Sequence, residues 1–286
     1  MDYSDKVVCL QTNNIKIFKI IFEILKDILP ETNITFYKET DNDGETVCGF
    51  KISDMTETIC ISLKIITDMS SFYCSKNKYT VGINLKYLAD FFKSAEDSDN
   101  LTLFVNNSDT QLLQIETITN NKAKKMSYTL TTIDVPLKQI NSEIRYQVHV
   151  LFSTEDFHKL CRDMKKIGTV LEITCTNRTI IFECKQGMHS SSKVSFTHTE
   201  NSDSKVKIEF MNISKDTIIR NSYDLKHLLL FSKCSGFCPK LDMYLNSEIY
   251  PLCLNYNIGE TGHLKALITP LTQSPVTTSN TDEIEY

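Results

Sequence analysis

Ile15-Lys-Ile-Phe-Lys-Ile-Ile-Phe-Glu-Ile-Leu-Lys-Asp-Ile-Leu29 carries one apolar stripe, Ile17, Ile20, Ile21, Ile24, Leu25 and Ile28, and one polar stripe, Lys16, Lys19, Glu23 and Lys26. The 3.6-residue period predicts a helix lying flat on an apolar surface, stopped by Pro30. Lys19 and Lys26 are seven residues apart, almost two turns, so they share a face. The spacing returns inside three more amphipathic stretches, as Lys86/Lys93, Lys159/Lys166 and Lys226/Lys233. Lys19 to Lys86 and Lys159 to Lys226 are both 67 residues; Lys19 to Lys159 and Lys86 to Lys226 are both 140. This lattice predicts a duplicated unit with two cationic helices per copy.

Between the helices the chain reads as short strands. Runs at 33–37, 46–52, 58–66, 101–105, 112–118 and 126–133 in the first copy are answered by 147 onward, 169–175, 179–184, 192–197, 205–211, 216–221, 240–245, 250–258 and 263–269 in the second. Helices are expected at 15–29, 85–95, 157–167 and 224–234. Asp134 to Tyr146 breaks the periodicity and carries Pro136 among scattered Leu137, Ile140 and Ile144, the mark of an extended linker. The expected domains are 1–134 and 147–270, joined by the linker 135–146, with a Ser/Thr-rich disordered tail at 271–286. The fold class is α+β: each copy packs two one-sided helices on β-sheets, with the cationic helix faces exposed.

Net charge is -5, which argues against a general polyanion binder until charge is located. Stretches 15–29, 85–95, 157–167 and 225–233 hold 11 Lys/Arg against 4 Asp/Glu, or +7, leaving -12 for the remainder. Position therefore outweighs the sum. Lysines on helices contact phosphates without reading bases. The candidate DNA-binding residues are Lys16, Lys19, Lys26, Lys86, Lys93, Lys159, Arg162, Lys165, Lys166, Lys226 and Lys233. A single such pair is more often a solvated helix face; four at repeating intervals are not.

The ten cysteines sit mostly in apolar runs, and Met1-Asp-Tyr-Ser-Asp5 lacks a secretory n-region, so reduced, buried thiols in an intracellular protein are expected. No apolar run approaches the ~20 residues of a membrane span. Asp41-Asn-Asp-Gly-Glu45 starts like a calcium loop, but its terminal ligand position falls on Phe50. Cys234 and Cys238 lack a second zinc-spaced pair. No phosphate-binding glycine loop or nucleophile–base set is present, so no catalytic residue, metal or cofactor is expected.

Tyr223-Asp-Leu-Lys-His-Leu-Leu-Leu-Phe-Ser-Lys-Cys234 closely resembles the last helix of the PCNA family of DNA sliding clamps. So does the ending Pro251-Leu-Cys-Leu-Asn-Tyr-Asn-Ile-Gly-Glu-Thr-Gly-His-Leu-Lys-Ala-Leu-Ile-Thr-Pro270. Phe157-His-Lys-Leu-Cys-Arg-Asp-Met-Lys-Lys-Ile-Gly168 and Val81-Gly-Ile-Asn-Leu85 agree as well, and the likeness is colinear over about 10–270. It implies a ring of three two-domain subunits, helices lining a hole through which duplex DNA passes, and sheets outside. It also implies polymerases and other replication or repair proteins tethered as clients, and no catalytic activity. Action would be in the nucleus or, for a viral member, at the viral replication site. Richness in Ile, Lys and Asn fits an AT-rich viral or protist genome. The alternative is a clamp paralogue in a hetero-ring or a monomeric processivity factor.

By the same resemblance, client peptides would insert a helical turn into an apolar pocket made by Met55, Ile59 and Ile61, by Leu137, Ile140 and Tyr146 of the linker, and by Pro251, Leu267, Thr269 and Pro270. Subunits would join through Met126–Ile133 of one copy and a strand near Ser190–Phe196 of the next. Four features depart from the family pattern: Asp90 and Ile20 where lysines are common, Leu267 where an aromatic is common, and Asp224 where alanine is common.

Overall fold

The computed structural model describes residues 3–40, 44–138, 140, 144–187, 190–198, 206–211, 213–247 and 250–271. The expected tail, apart from Leu271, and part of the linker lie outside the described residues.

The first half runs β1 (Lys6–Thr12), α1 (Ile15–Leu25), β2 (Glu31–Thr40), β3 (Thr46–Met55), β4 (Ile59–Thr67), β5 (Phe72–Cys74), β6 (Lys78–Asn84), α2 (Leu85–Ser94), β7 (Asn100–Asn106), β8 (Asp109–Ile118) and β9 (Lys125–Thr131). The second runs β10 (Val148–Ser153), α3 (Thr154–Lys165), β11 (Val170–Cys175), β12 (Thr179–Gln186), β13 (Ser190–Thr197), β14 (Val206–Phe210), β15 (Ile219–Asp224), α4 (Leu225–Leu230), β16 (Lys240–Leu245), β17 (Leu252–Asn257) and β18 (Gly262–Ile268). A 3-10 turn, Phe231–Gly236, continues α4.

The duplication is exact in strand order. The first half forms β5-β1-β7-β8-β9 and β4-β3-β2-β6; the second forms β14-β10-β16-β17-β18 and β13-β12-β11-β15. β18 and β4 pair antiparallel, with Leu264 opposite Leu63 and Ile268 opposite Ile59, and fuse one sheet from each half into nine strands. Gly262 permits the close start of this junction: its φ is 134°, and a Cβ would run into the Lys64 carbonyl oxygen. Each half has its own aromatic centre. Phe18, Phe22, Phe36, Phe50 and Phe92 interlock in one, and Phe152, Phe157, Phe182 and Phe196 in the other.

Asn84, Ser153 and Asp224 cap α2, α3 and α4 by accepting backbone N–H bonds. Hence α3 starts at Thr154, three residues before the sequence expectation. α1 stops at Leu25 and passes through turns to Leu29, because the residues before Pro30 disfavour helix. Its buried face is Ile15, Phe18, Ile21, Phe22, Ile24 and Leu25, with Ile17 and Ile20 only partly covered; the stripe is rotated from the one read in sequence. β1, β5 and β6 were not expected. Val7-Val8-Cys9-Leu10 is buried at every position, so it shows no alternation to read. All ten cysteines are free thiols and eight are buried. No described helix is long and apolar enough to cross a membrane.

Candidate functional site

The four helices form one layer. α1 packs against α2 on one side and against the 3-10 turn on the other, and α3 packs against that turn and α4. Lys16, Lys86, Lys93, Lys159, Arg162, Lys165, Lys166, Lys226 and Lys233 are exposed; Lys19 and Lys26 are half-buried.

Ion pairs divide these cations into two sets. Lys19 Nζ donates to Asp97 Oδ1 and the Ala95 carbonyl, both at 2.8 Å, and so ties α1 to the segment after α2. Lys26 holds Glu23 at 2.8 Å, Lys93 holds Asp90 at 2.8 Å, Lys166 holds Asp163 at 2.8 Å, and Lys233 reaches Glu23 at 3.1 Å. Burial raises the Glu23 carboxyl, but hydrogen bonds from Lys26 and Lys233 outweigh it and hold the group below its ordinary value. Among the described residues no ion pair falls on Lys16, Lys86, Lys159, Arg162, Lys165 or Lys226. Those six are the cations of the helix layer that no ion pair engages.

At the end of the β4–β18 junction lies an apolar groove of about 220 Å³. It is lined by the β3–β4 turn (Met55, Thr56, Glu57, Thr58, Ile59, Cys60), by Ile140 and Ile144 of the linker, and by Pro251, Leu267 and Thr269. Six of the expected pocket residues meet there: Met55, Ile59, Ile140, Pro251, Leu267 and Thr269. Four do not. Ile61 is fully buried, because alternation along β4 turns it into the core and gives Cys60 the outer face. Leu137 is 77% exposed and outside the lining. Tyr146 packs on Tyr244 instead, ring centroids 5.6 Å apart, and Pro270 is not part of the wall. Cys60 was legible in the period-2 pattern of 58–63, and Ile144 as an apolar side chain of the linker; Thr56 and Glu57 carried no sequence signal.

The linker is held at its start. Ile133 N–H donates to the Gly82 carbonyl at 2.9 Å, and Gly82 must be glycine because a Cβ would strike the Ile133 carbonyl. Asn33 Nδ2 donates to the Val135 carbonyl at 2.8 Å. Lys138 Nζ then meets buried Asp54 Oδ1 at 2.8 Å and the Met55 carbonyl at 2.6 Å. Asp54 is completed by Thr32 Oγ1 at 2.7 Å and the Met55 N–H at 2.7 Å. A buried carboxylate with every oxygen engaged fixes the linker beside the groove.

Two of the terminal strands have no further strand beside them among the described residues. β9 ends one sheet and β13 another. Met126, Val194 and Phe196, beside these edges, are only partly covered, and Tyr128 is exposed although stacked on Phe91.

Family models for the proliferating cell nuclear antigen (PCNA) N-terminal and C-terminal domains match residues 8–139 and 140–271 in succession. The chain belongs to the PCNA family. Relatives include a "Probable DNA polymerase sliding clamp" of Acanthamoeba polyphaga mimivirus, 23% identical over 304 positions that cover 93% of this chain and 62% of that one. The chain thus spans less than two thirds of that relative. A "Probable DNA polymerase sliding clamp 1" of Paramecium bursaria Chlorella virus 1 is 24% identical over 273 positions, 95% of this chain and 99% of the relative.

Three departures of this PCNA-family chain have local reasons. Ile20 lies 3.1 Å from where a Cβ on Gly236 would stand, so it fills the seam between α1 and the 3-10 turn. Asp224 accepts the Lys226 N–H at 2.7 Å as the cap of α4. Asp90 is spent on Lys93, which removes both charges from the helix layer as a net sum.

Proposed function

We propose that this protein is a sliding clamp: a head-to-tail ring of three copies that encircles duplex DNA without reading its sequence and tethers a DNA polymerase and other replication or repair proteins. One observation carries the reading. β9 holds in the first half the place that β18 holds in the second, and β13 holds the place of β4. The β18–β4 pairing that joins the halves can therefore recur between copies as β9–β13, burying Met126, Tyr128, Val194 and Phe196. Such heterologous contacts close when the rotation per copy divides the circle, and three is the number the family likeness implies. The helix layer then faces the hole with Lys16, Lys86, Lys159, Arg162, Lys165 and Lys226 toward the phosphates, while the groove stays outside for clients. In this role the chain makes and breaks no bonds. It acts by keeping the polymerase at the primer end, at the site of DNA replication.

Light scattering on the purified protein tests the assembly: a mass near three times 32.8 kDa supports the ring, and a stable monomer overturns it. Retention on closed circular DNA with loss from linear DNA tests encirclement.

A further inference from the structure

Beside the groove the sheet carries a second cationic cluster that the helix lattice does not include. Along the outer face of β18 the residues after Leu267, read toward the strand's start, are Lys265 and His263. Along β4 they are Ser62 and Lys64 after Cys60; along β3, Ser53 and Lys51 after Met55. Register places Lys51 opposite Lys64, Lys64 opposite His263, and Ser53–Ser62–Lys265 in the row between them and the groove. Like charges directly opposite are a cost in a sheet. Glu39 offsets part of it, at 3.7 Å from Lys51 and 3.1 Å from Lys78, yet among the described residues no ion pair falls on Lys64 or Lys265. Lys51 and Lys64 also lie over the Tyr37 ring, 5.7 and 5.4 Å from its centroid, which holds both ammoniums at the surface. Burial, then Lys265 and Lys64, keep His263 below its ordinary value, a sign that both fields converge there.

Strand rise puts Lys265 about 7 Å from Leu267, and the Lys64/Lys51 row about 13 Å from it. The serines between are short, so the floor is a shallow track continuous with the groove. We propose that this ladder is the second half of the client site and takes an acidic stretch flanking the apolar anchor of a partner polypeptide. It rests on the reading of the groove as the client site. Two to four extended residues past the anchor reach the lysines, and carboxylates there relieve the like-charge row.

The test is fluorescence anisotropy on the full chain with two short synthetic peptides that share one apolar helical turn, flanked by Asp-Glu-Asp-Glu or by Ser-Gly-Ser-Gly. At low salt the acidic flank is expected to tighten binding about fivefold, the sum of a few exposed pairs. The gain should vanish at high salt and in a Lys64→Glu/Lys265→Glu variant, with the neutral peptide unaffected. Equal affinity for both peptides, or an equal loss of both in the variant, overturns the ladder while leaving the groove reading intact. Failure of both peptides to bind removes the groove reading and the ladder with it. Tightening of the acidic peptide by Asp282→Asn, Glu283→Gln and Glu285→Gln also overturns the proposal, since it assigns the ladder to the chain's own acidic segment.

Discussion

Lys233 of the second half lies 3.1 Å from Glu23 of the first, and the same carboxylate holds Lys26 at 2.8 Å. One acid thus binds two lysines of the periodic lattice and closes the seam between the halves. Glu23→Gln should free both cations, raise non-specific duplex affinity and steepen the salt dependence by up to about two phosphate equivalents. The folded Glu23 value is depressed, so its stabilisation is present above the unfolded value and is lost as pH falls through the folded one. Thermal melts of variant and parent should therefore converge in acid.

The ammonium groups of Lys86, Lys159 and Lys226 form no ion pair among the described residues, whereas Lys19 is built into the contact with Asp97 and Ala95. Replacing the three unpaired lysines by Glu should abolish polymerase stimulation with oligomer mass and melting temperature unchanged. Lys19→Glu should lower the melting temperature as well. Equal stability of the two variants would show that the ion pairs do not sort these lysines.

Ile61 and Leu267 should separate structure from binding. Ile61→Asp puts an unpaired carboxylate in the core and is expected to cost about 3 kcal/mol or more in denaturant titration. Leu267→Asp lies on the groove wall and should block peptide binding, read by calorimetry, with little loss of stability.

Asp54→Asn removes the buried carboxylate that Thr32 and the exposed Lys138 both bind. We expect a loss of about 1–3 kcal/mol and faster hydrogen exchange in the linker from Val135 onward, with the helix layer unaffected.

His158 is buried against Tyr256, with Nε2 3.1 Å from the hydroxyl, and burial followed by Arg162 pushes it down to about 3. The unfolded chain takes up that proton near 6.5. Stability from the neutral ring is complete above 6.5 and falls by about 1.4 kcal/mol per pH unit from there to about 3. His158→Gln should flatten that part of the pH–stability curve.

The duplication, the helix positions and the cationic faces were open to reading because they are periodic: a 3.6-residue stripe and a 140-residue repeat survive in one dimension. Strands that alternate, such as Thr58 to Leu63, were legible for the same reason. Val7 to Leu10, buried at every position, was not. Segment likeness supplied the groove's neighbourhood, but not which face each residue takes at a strand's end; it named Ile61 where the alternation of β4 presents Cys60.

The linear chain by itself determined two like halves and which helices carry positive charge, since both follow from spacing and local burial. Only the tertiary structure decided which lysines an ion pair engages, which strands end a sheet and where the outer ladder gathers. Asp97 meets Lys19 across 78 residues, Glu23 meets Lys233 across 210, and Lys64 meets His263 across a strand pairing between halves. Charge pairing depends on distance in space, and a sequence records only distance along the chain.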